Sequence, residues 1–165
     1  MPVITSSSSM SSSSTFVMDV GGSSIKAGFA NQQKCKVLPN CIVKAKSEKR
    51  RAFIADQIDD CRDLSSLFYL LPFQKGYLVN WDHQKTVFDY IFSKNCFNFD
   101  PQDKHLIITE PYFNFSSIQD GLNELLFDEY RFKSVLRYRC ALVEHFGRGV
   151  NSKFWALVRG NANFT

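Results

Sequence analysis

The sequence contains no long hydrophobic run. No stretch approaches the ~20 consecutive apolar residues of a membrane-spanning helix. The first 15 residues offer only Val3 and Ile4 where a secretory signal peptide has a continuous apolar region. These two absences speak against an integral membrane protein and against secretion, so we expect an intracellular protein.

Metal-binding spacings are also missing. A zinc site typically takes pairs of Cys or His ligands about two to four residues apart. No Cys-x-x-Cys pair occurs, and the histidines stand far apart; the residues concerned are Cys35, Cys41, Cys61, Cys96, Cys140, His83, His105 and His145. We therefore expect reduced thiols in the core and no metal site.

Phenylalanine, by contrast, is abundant. The 165-residue chain contains 16 of them, which predicts a core of bulky aromatic rings. Apolar residues make up 44% of the chain and charged residues 22%, which is typical of a globular domain. A chain of this length can form one domain that buries roughly 70% of its unfolded surface.

Low complexity is confined to the beginning of the chain. Residues 6–14 are serine except for Met10. Such a run buries no apolar surface, so we predict a disordered Ser-rich leader over residues 1–15. The leader is either a phosphorylation tail or a translated segment without function.

The organising feature of the sequence is a Gly-Gly-Ser-Ser bend between two apolar runs. Residues 16–29 read FVMDVGGSSIKAGF, which predicts a strand, a tight bend and a returning strand. Adjacent glycines tolerate positive φ and can turn successive N–H groups toward one point, as in an anion-binding nest. Asp19 would then hold a water of a divalent cation, and Lys26 would lie beside the phosphate oxygens. An ordinary β-hairpin is the alternative, because short glycine motifs are weak signals.

Three stretches resemble the actin superfamily. Residues 19–29, DVGGSSIKAGF, are similar to its first phosphate loop, whose pattern is D-N-G-S/G-x-x-x-K-A-G-F. Residues 71–82 (LPFQKGYLVNWD) and 108–115 (ITEPYFNF) are similar to a nuclear branch of the actin-related proteins, and the likeness covers residues 16–137. The resemblance implies a vestigial phosphate-binding loop, with no catalytic residue and no metal ligand. The residues of that loop are Asp19, Gly21, Gly22, Ser23, Ser24 and Lys26.

One more strand and a helix are predicted after the hairpin. Residues 36–43 read as a third strand in which Pro39 marks an edge or a bulge. Between the helix cap Asn80 and about Asn95, four apolar residues and one glutamine fall three or four positions apart, which predicts an amphipathic helix. This stripe, which we assign to the core, consists of Trp81, Gln84, Phe88, Ile91 and Phe92.

The remaining predicted elements complete a mixed sheet. Residues 106–109 predict a buried strand, and residues 116–119 have capping-box spacing ahead of a second helix. The apolar face of that helix consists of Ile118, Leu122, Leu125 and Leu126. Val135 and Leu136 mark a last strand. This order resembles the ribonuclease-H-like half of the actin fold, which implies an α/β (α+β) domain over residues 16–137 with a mixed sheet of about five strands and two main helices.

A basic run follows the predicted third strand. Residues 44–51 contain five cations in eight positions. The run is typical of a nuclear-import signal or a phosphate-contacting patch, and equally of a solvated loop. In actin this region leads into the loop that grips the next filament subunit. The connection here is shorter and lacks that pattern, so we expect no filament.

Downstream of Arg137 the chain contains no Asp. Actin-family proteins carry a second D-x-G phosphate loop in a second lobe, and the resemblance implies that this loop is missing here. Residues 1–136 contain 15 cations and 15 acids, which leaves the net charge of +4 in residues 137–165. We therefore predict a divergent basic tail over residues 138–165. Arg139 aligns with the family's water-orienting glutamine, and residues 147–149 (GRG) admit RNA contact as an alternative role.

The resemblance implies a non-catalytic scaffold. The implied function is that of a nuclear actin-related subunit of an ATP-dependent chromatin remodelling complex that exchanges a variant histone into nucleosomes. The implied partners are protein subunits of that complex, with histones contacted indirectly and with no sequence-specific nucleic acid, membrane or filament. The implied location is the nucleus and also the cytoplasm.

Two alternatives belong to the same superfamily: an ATP-binding protein or ATPase, and a cytoskeletal actin-like protein. ATP and Mg are the cofactors implied for a full-length form. We expect no tight nucleotide binding to this chain, because catalysis in the superfamily needs groups from two lobes that close on the phosphates.

Overall fold

The computed structural model describes residues 14–46, 51–62, 64, 66–111 and 113–139. The predictions for the Ser-rich leader up to residue 13, and for the basic tail beyond residue 139, lie outside these residues. The described strands are β1 (Thr15–Val20), β2 (Ser24–Phe29), β3 (Lys36–Pro39), β4 (Ile42–Ala45), β5 (Ala52–Ile54), β6 (Leu67–Leu70), β7 (Phe73–Gln74), β8 (Tyr77–Leu78), β9 (His105–Glu110) and β10 (Ser134–Arg139).

The main sheet has five strands in the order β10-β9-β1-β2-β3. β1 and β2 form an antiparallel hairpin, and β3 pairs antiparallel with β2 at one edge. On the other side β9 runs parallel to β1, and β10 runs parallel to β9. The predicted mixed sheet of five strands in an α/β fold is confirmed. Pro39 lies in the edge strand β3, which agrees with the edge rather than the bulge that was predicted for it.

A second, smaller sheet was not predicted. It has the order β5-β4-β6, and β7 and β8 form a separate hairpin. The prediction of one strand over residues 36–43 is wrong, because the chain leaves the main sheet at Asn40 and enters the small sheet at Ile42. Asn40 is fully buried at this junction, where its backbone N–H donates to the carbonyl of Ser23 at 3.0 Å.

Two α-helices accompany the sheets: α1 (Trp81–Phe92) and α2 (Ser116–Asn123). α1 is capped as predicted by Asn80, whose side chain accepts from the His83 backbone N–H at 3.0 Å, but it ends at Phe92. The predicted capping box of α2 is wrong: Phe115 occupies the N-cap, and Ser116 is already helical. None of the helices among the described residues is long and apolar enough to cross a bilayer.

The core between the main sheet and the helices is aromatic, as predicted. The Phe16 ring is fully buried and lies 4.6–5.1 Å from the rings of Phe29, Phe97 and Phe99. Burying one such side chain contributes about 1.5–3 kcal/mol, whereas an exposed ion pair contributes about 0–1 kcal/mol. Ring packing in the interior therefore stabilises this fold more than its surface charges do.

An ion pair with a half-buried carboxylate joins the small sheet to the main one. Ala55 takes a left-handed φ of 52° after β5 and turns the chain into a 3₁₀ helix, Ala55–Asp60. Asp56 thereby meets Lys36 of β3 at 2.7 Å and the hydroxyl of Tyr90 on α1 at 2.7 Å. Burial alone would raise the pKa of Asp56, but the hydrogen bonds from Lys36 and Tyr90 outweigh burial and hold that pKa below its usual value.

We expect Asp56→Asn to lower the free energy of unfolding at pH 7 by about 1–2 kcal/mol, because Lys36 loses a charged acceptor. A depressed carboxyl pKa stabilises the folded state above the unfolded pKa, and this contribution is lost as pH falls through the folded pKa. The gap between wild type and variant should therefore close in acid. Urea unfolding of both proteins at pH 7 and pH 3 measures this gap.

Asp59→Asn, which replaces an exposed acid of the same 3₁₀ helix, is the matched control. An equal gap at both pH values would contradict the assignment.

Candidate functional site

The glycine bend lies where three strands of the main sheet meet. β1 and β2 pair so that Asp19 faces Lys26, and the Lys26 ammonium contacts the Asp19 carboxylate at 3.1 Å. Thr109 of β9 donates its hydroxyl to the other carboxylate oxygen at 2.8 Å. The same hydroxyl accepts from the Val20 backbone N–H at 3.0 Å. The two predicted charged residues are thus brought together, and Thr109 is a partner that the sequence did not indicate.

The glycines shape the bend differently from the prediction. Neither Gly21 nor Gly22 has positive φ, so the predicted nest conformation is wrong. Gly21 instead closes the turn with its own N–H, which donates to the Ser24 carbonyl at 3.0 Å. A Cβ at Gly21 would lie 2.9 Å from that carbonyl oxygen, whereas a Cβ at Gly22 would lie 3.4 Å from Phe73. Close approach of the backbone, rather than left-handed geometry, requires glycine at position 21.

Two buried amides support the bend from behind. Asn40 donates from Nδ2 to the Gly21 carbonyl at 2.9 Å and to Oε1 of Gln84 at 3.1 Å. Both side chains are fully buried. The sequence held a signal for Gln84, since it is the one polar residue in the predicted apolar stripe of α1. Asn40 had no such signal, because its role follows from the chain switching sheets.

A small cavity lies under the bend. Its volume is about 30 Å³, and its lining includes Val20, Gln84, Thr109 and Asn114. Nε2 of Gln84 and Oδ1 of Asn114 are buried without a hydrogen-bond partner among the described residues. A cavity of this size accommodates about one water molecule, which needs polar partners of this kind. The cavity is lined mainly by apolar side chains, among which Gln84 and Asn114 present these unpartnered polar atoms.

The geometry offers one wall for an anion. The amide groups of Gly22 and Ser23 donate to no acceptor within the described part of the chain, and both residues are exposed. Lys26 adds a positive charge, but its ammonium already contacts Asp19. Amides and a lysine fit one side of a phosphate group. The described residues contain no group of three His, Cys, Asp or Glu side chains that could hold a metal ion.

Fold and bend together agree with a family comparison. The family model for actin matches residues 10–158, which is most of the chain. The chain belongs to the actin family. The resemblance stated from residues 19–29, 71–82 and 108–115 is thus confirmed, while the division into leader, lobe and tail stays a prediction.

The curated relatives include actin-related proteins. The chain is 49% identical to Actin-related protein 6 of Drosophila melanogaster over 137 residues, which is 83% of this chain and 34% of the relative. It is 39% identical to Actin-like protein ARP6 of Cryptococcus neoformans, covering 80% of this chain and 26% of the relative. It is 35% identical to Actin-related protein 6 of Neurospora crassa, covering 74% and 28%. The chain therefore spans about a third or less of the length of these relatives.

We expect the two glycines of the bend to respond differently to alanine. Gly21→Ala should lower the free energy of unfolding by more than about 1 kcal/mol, because the new Cβ meets a backbone oxygen. Gly22→Ala should change it by less than about 0.5 kcal/mol, because φ is not left-handed there and the new Cβ would lie 3.4 Å from the Phe73 Cβ, an ordinary van der Waals contact. Chemical denaturation of both variants makes the comparison. Equal losses would show that conformational freedom, not close approach, matters at the bend.

Proposed function

We propose that this chain acts as a docking module of a nuclear protein assembly: a non-catalytic, actin-related subunit of an ATP-dependent chromatin remodelling complex that exchanges a variant histone. The observation that carries the proposal is an exposed glycine bend that offers one wall to an anion, on an actin-family domain. Similarity to Actin-related protein 6 of three organisms favours the nuclear branch. The partners are protein subunits, with histones contacted indirectly, and the location is the nucleus as well as the cytoplasm.

The bend is too poor in donors to support catalysis on ATP. Gly22 stands where actin carries a serine that touches the terminal phosphate, and one neutral hydrogen bond contributes about 0.5–1.5 kcal/mol. Lys26 is held by Asp19, so part of its charge is already balanced. A good nucleotide site buries most of its ligand, whereas Gly22 and Ser23 are exposed at the tip of the hairpin. Within the described residues the bend offers only one side of such a site.

A second candidate function is ATP binding in a longer form. It is favoured by the position of Asp19 and Lys26 on the two strands that flank the glycine bend, where the Thr109 hydroxyl orients the Asp19 carboxylate. These residues would supply one half of a site for ATP with Mg, and residues beyond the described part would supply the other half.

We expect this chain to bind ATP with a Kd of about 1 mM or weaker, a free energy of about −4 kcal/mol. Equilibrium dialysis with labelled ATP and magnesium measures it. Lys26→Gln is the matched variant, and any residual binding at the bend should weaken in it. A micromolar Kd that this variant abolishes would contradict the docking proposal and support the ATP-binding alternative.

Assembly should be independent of nucleotide. We expect the tagged chain, expressed in cells, to co-purify with a remodelling ATPase and the variant histone. EDTA and apyrase should leave this co-purification intact, because docking uses protein surface rather than a filled phosphate site. Release of the chain by that treatment, or pelleting of the purified chain in polymerising salt, would contradict the proposal.

A further inference from the structure

We propose that the outer edge of β6 receives an extended acidic segment of a partner protein as an added strand of the small sheet. This inference rests on the docking role proposed above and names the surface and the chemistry of the partner. It follows from the hydrogen-bond register of β6, from the absence of charge along it and from the lysines beside it.

The register shows which backbone groups face outward. The Lys46 N–H donates to the Ser66 carbonyl at 3.2 Å, and Ile42 lies opposite Leu70. In an antiparallel pair, hydrogen-bonded residues alternate with residues that point away from the partner strand. The N–H and C=O groups that point away from β4 are those of Leu67, Tyr69 and the following Leu71. Within the described residues these groups have no hydrogen-bond partner.

The other open sheet edges are protected, whereas that of β6 is not. β3 carries Lys36 and Pro39, β10 carries Arg137, and β5 has only three residues. Charge, proline and shortness are the usual means of blocking edge pairing. Residues 64–74, LSSLFYLLPFQ, hold no charge at all. Phe68 and Tyr69 are each 55% exposed. An unprotected apolar edge of this kind suits a partner strand.

Two lysines near β6 favour a partner strand with acidic residues. Lys44 and Lys46 are exposed and lie on the same face of the small sheet as Phe68, because Lys44 pairs with Phe68 in the register. The Lys46 ammonium lies 5.7 Å from the centre of the Phe68 ring. An incoming strand lies two strands away from β4, and the Lys46 side chain, which extends over Phe68 of β6, places its charge toward acidic residues on this face. The apolar residues of the strand meet Tyr69 on the other face.

Two other occupants fit less well. A second copy of the chain, paired β6 to β6, would bring no acidic residue to the lysines, because residues 64–74 hold no charge. Single-stranded nucleic acid needs a shared stacking platform. Phe68 and Tyr69 are neighbours in one strand, so their rings point to opposite faces of the sheet.

The test uses the full chain and synthetic peptides, measured by fluorescence anisotropy. The probe is a labelled eight-residue peptide in which Glu and Val alternate. Two isomers carry N-methyl groups on alternate amides, one on each edge of the peptide. We expect one isomer to bind at least tenfold more weakly than the parent peptide and the other isomer to bind nearly as well. Equal binding of both isomers overturns the proposal, because strand pairing requires one edge of the peptide.

Variants of the chain test the charge argument. The double variant Lys44→Glu, Lys46→Glu should lose the Glu–Val peptide at least tenfold and gain a Lys–Val peptide, whereas Lys94→Glu, an exposed lysine beyond α1, should change neither. Tyr69→Ala keeps the outward N–H and should bind better than Tyr69→Pro, with circular dichroism confirming the fold. Tighter binding of oligothymidylate than of the peptide, or concentration-dependent dimerisation abolished by Tyr69→Pro, overturns the acidic strand in favour of those occupants.

Failure of this inference and failure of the docking role are distinguishable. If the double lysine variant co-purifies with the remodelling complex as well as wild type does, the docking role stands and the β6 edge is not its surface. If wild type fails to co-purify yet binds the peptide at β6, the edge is a strand receptor without that complex.

Discussion

The structure depends on one long-range pairing, that of β1 with β9. Local sequence suffices to form the β1–β2 hairpin, but a hairpin alone has no buried face and is marginal in water. Parallel pairing with β9 covers the other edge of β1 and aligns Thr109 with Val20, 89 residues earlier in the chain. The Thr109 hydroxyl then donates to the Asp19 carboxylate and accepts from the Val20 backbone N–H at the end of β1. The candidate site exists only because this pairing is made.

The shape of the glycine bend follows from close packing and not from left-handed backbone angles. Gly21 is needed because the Ser24 carbonyl oxygen leaves no room for a Cβ, and Asn40 holds the Gly21 carbonyl from the other side. Asn40 in turn depends on Gln84 of α1. The bend is therefore coupled to the junction between the two sheets and to a helix.

The small sheet is linked to the main sheet by side-chain contacts. It is tied to the main sheet by Asp56, which accepts from both Lys36 and Tyr90. Burial, followed by the hydrogen bond to Asp56, raises the pKa of Tyr90, so the hydroxyl stays protonated as a donor at neutral pH. β6 forms the edge of the small sheet opposite β5, and its Leu70 packs against the main core. The proposed docking surface and the candidate phosphate loop thus lie on different sheets and can be examined separately.

The sequence by itself determined the elements whose signals are local: the hairpin around the glycine bend, the Asn80-capped helix and the buried strand at Ile108. Its family resemblance also implied a mixed sheet of about five strands. It could not determine features that require two distant segments. The split at Asn40, the small sheet, and the contacts of Thr109 and Gln84 arise only when strands far apart in sequence pair. The glycine conformation was mispredicted for the same reason, since glycine is compatible both with positive φ and with crowding, and only the surrounding backbone decides between them.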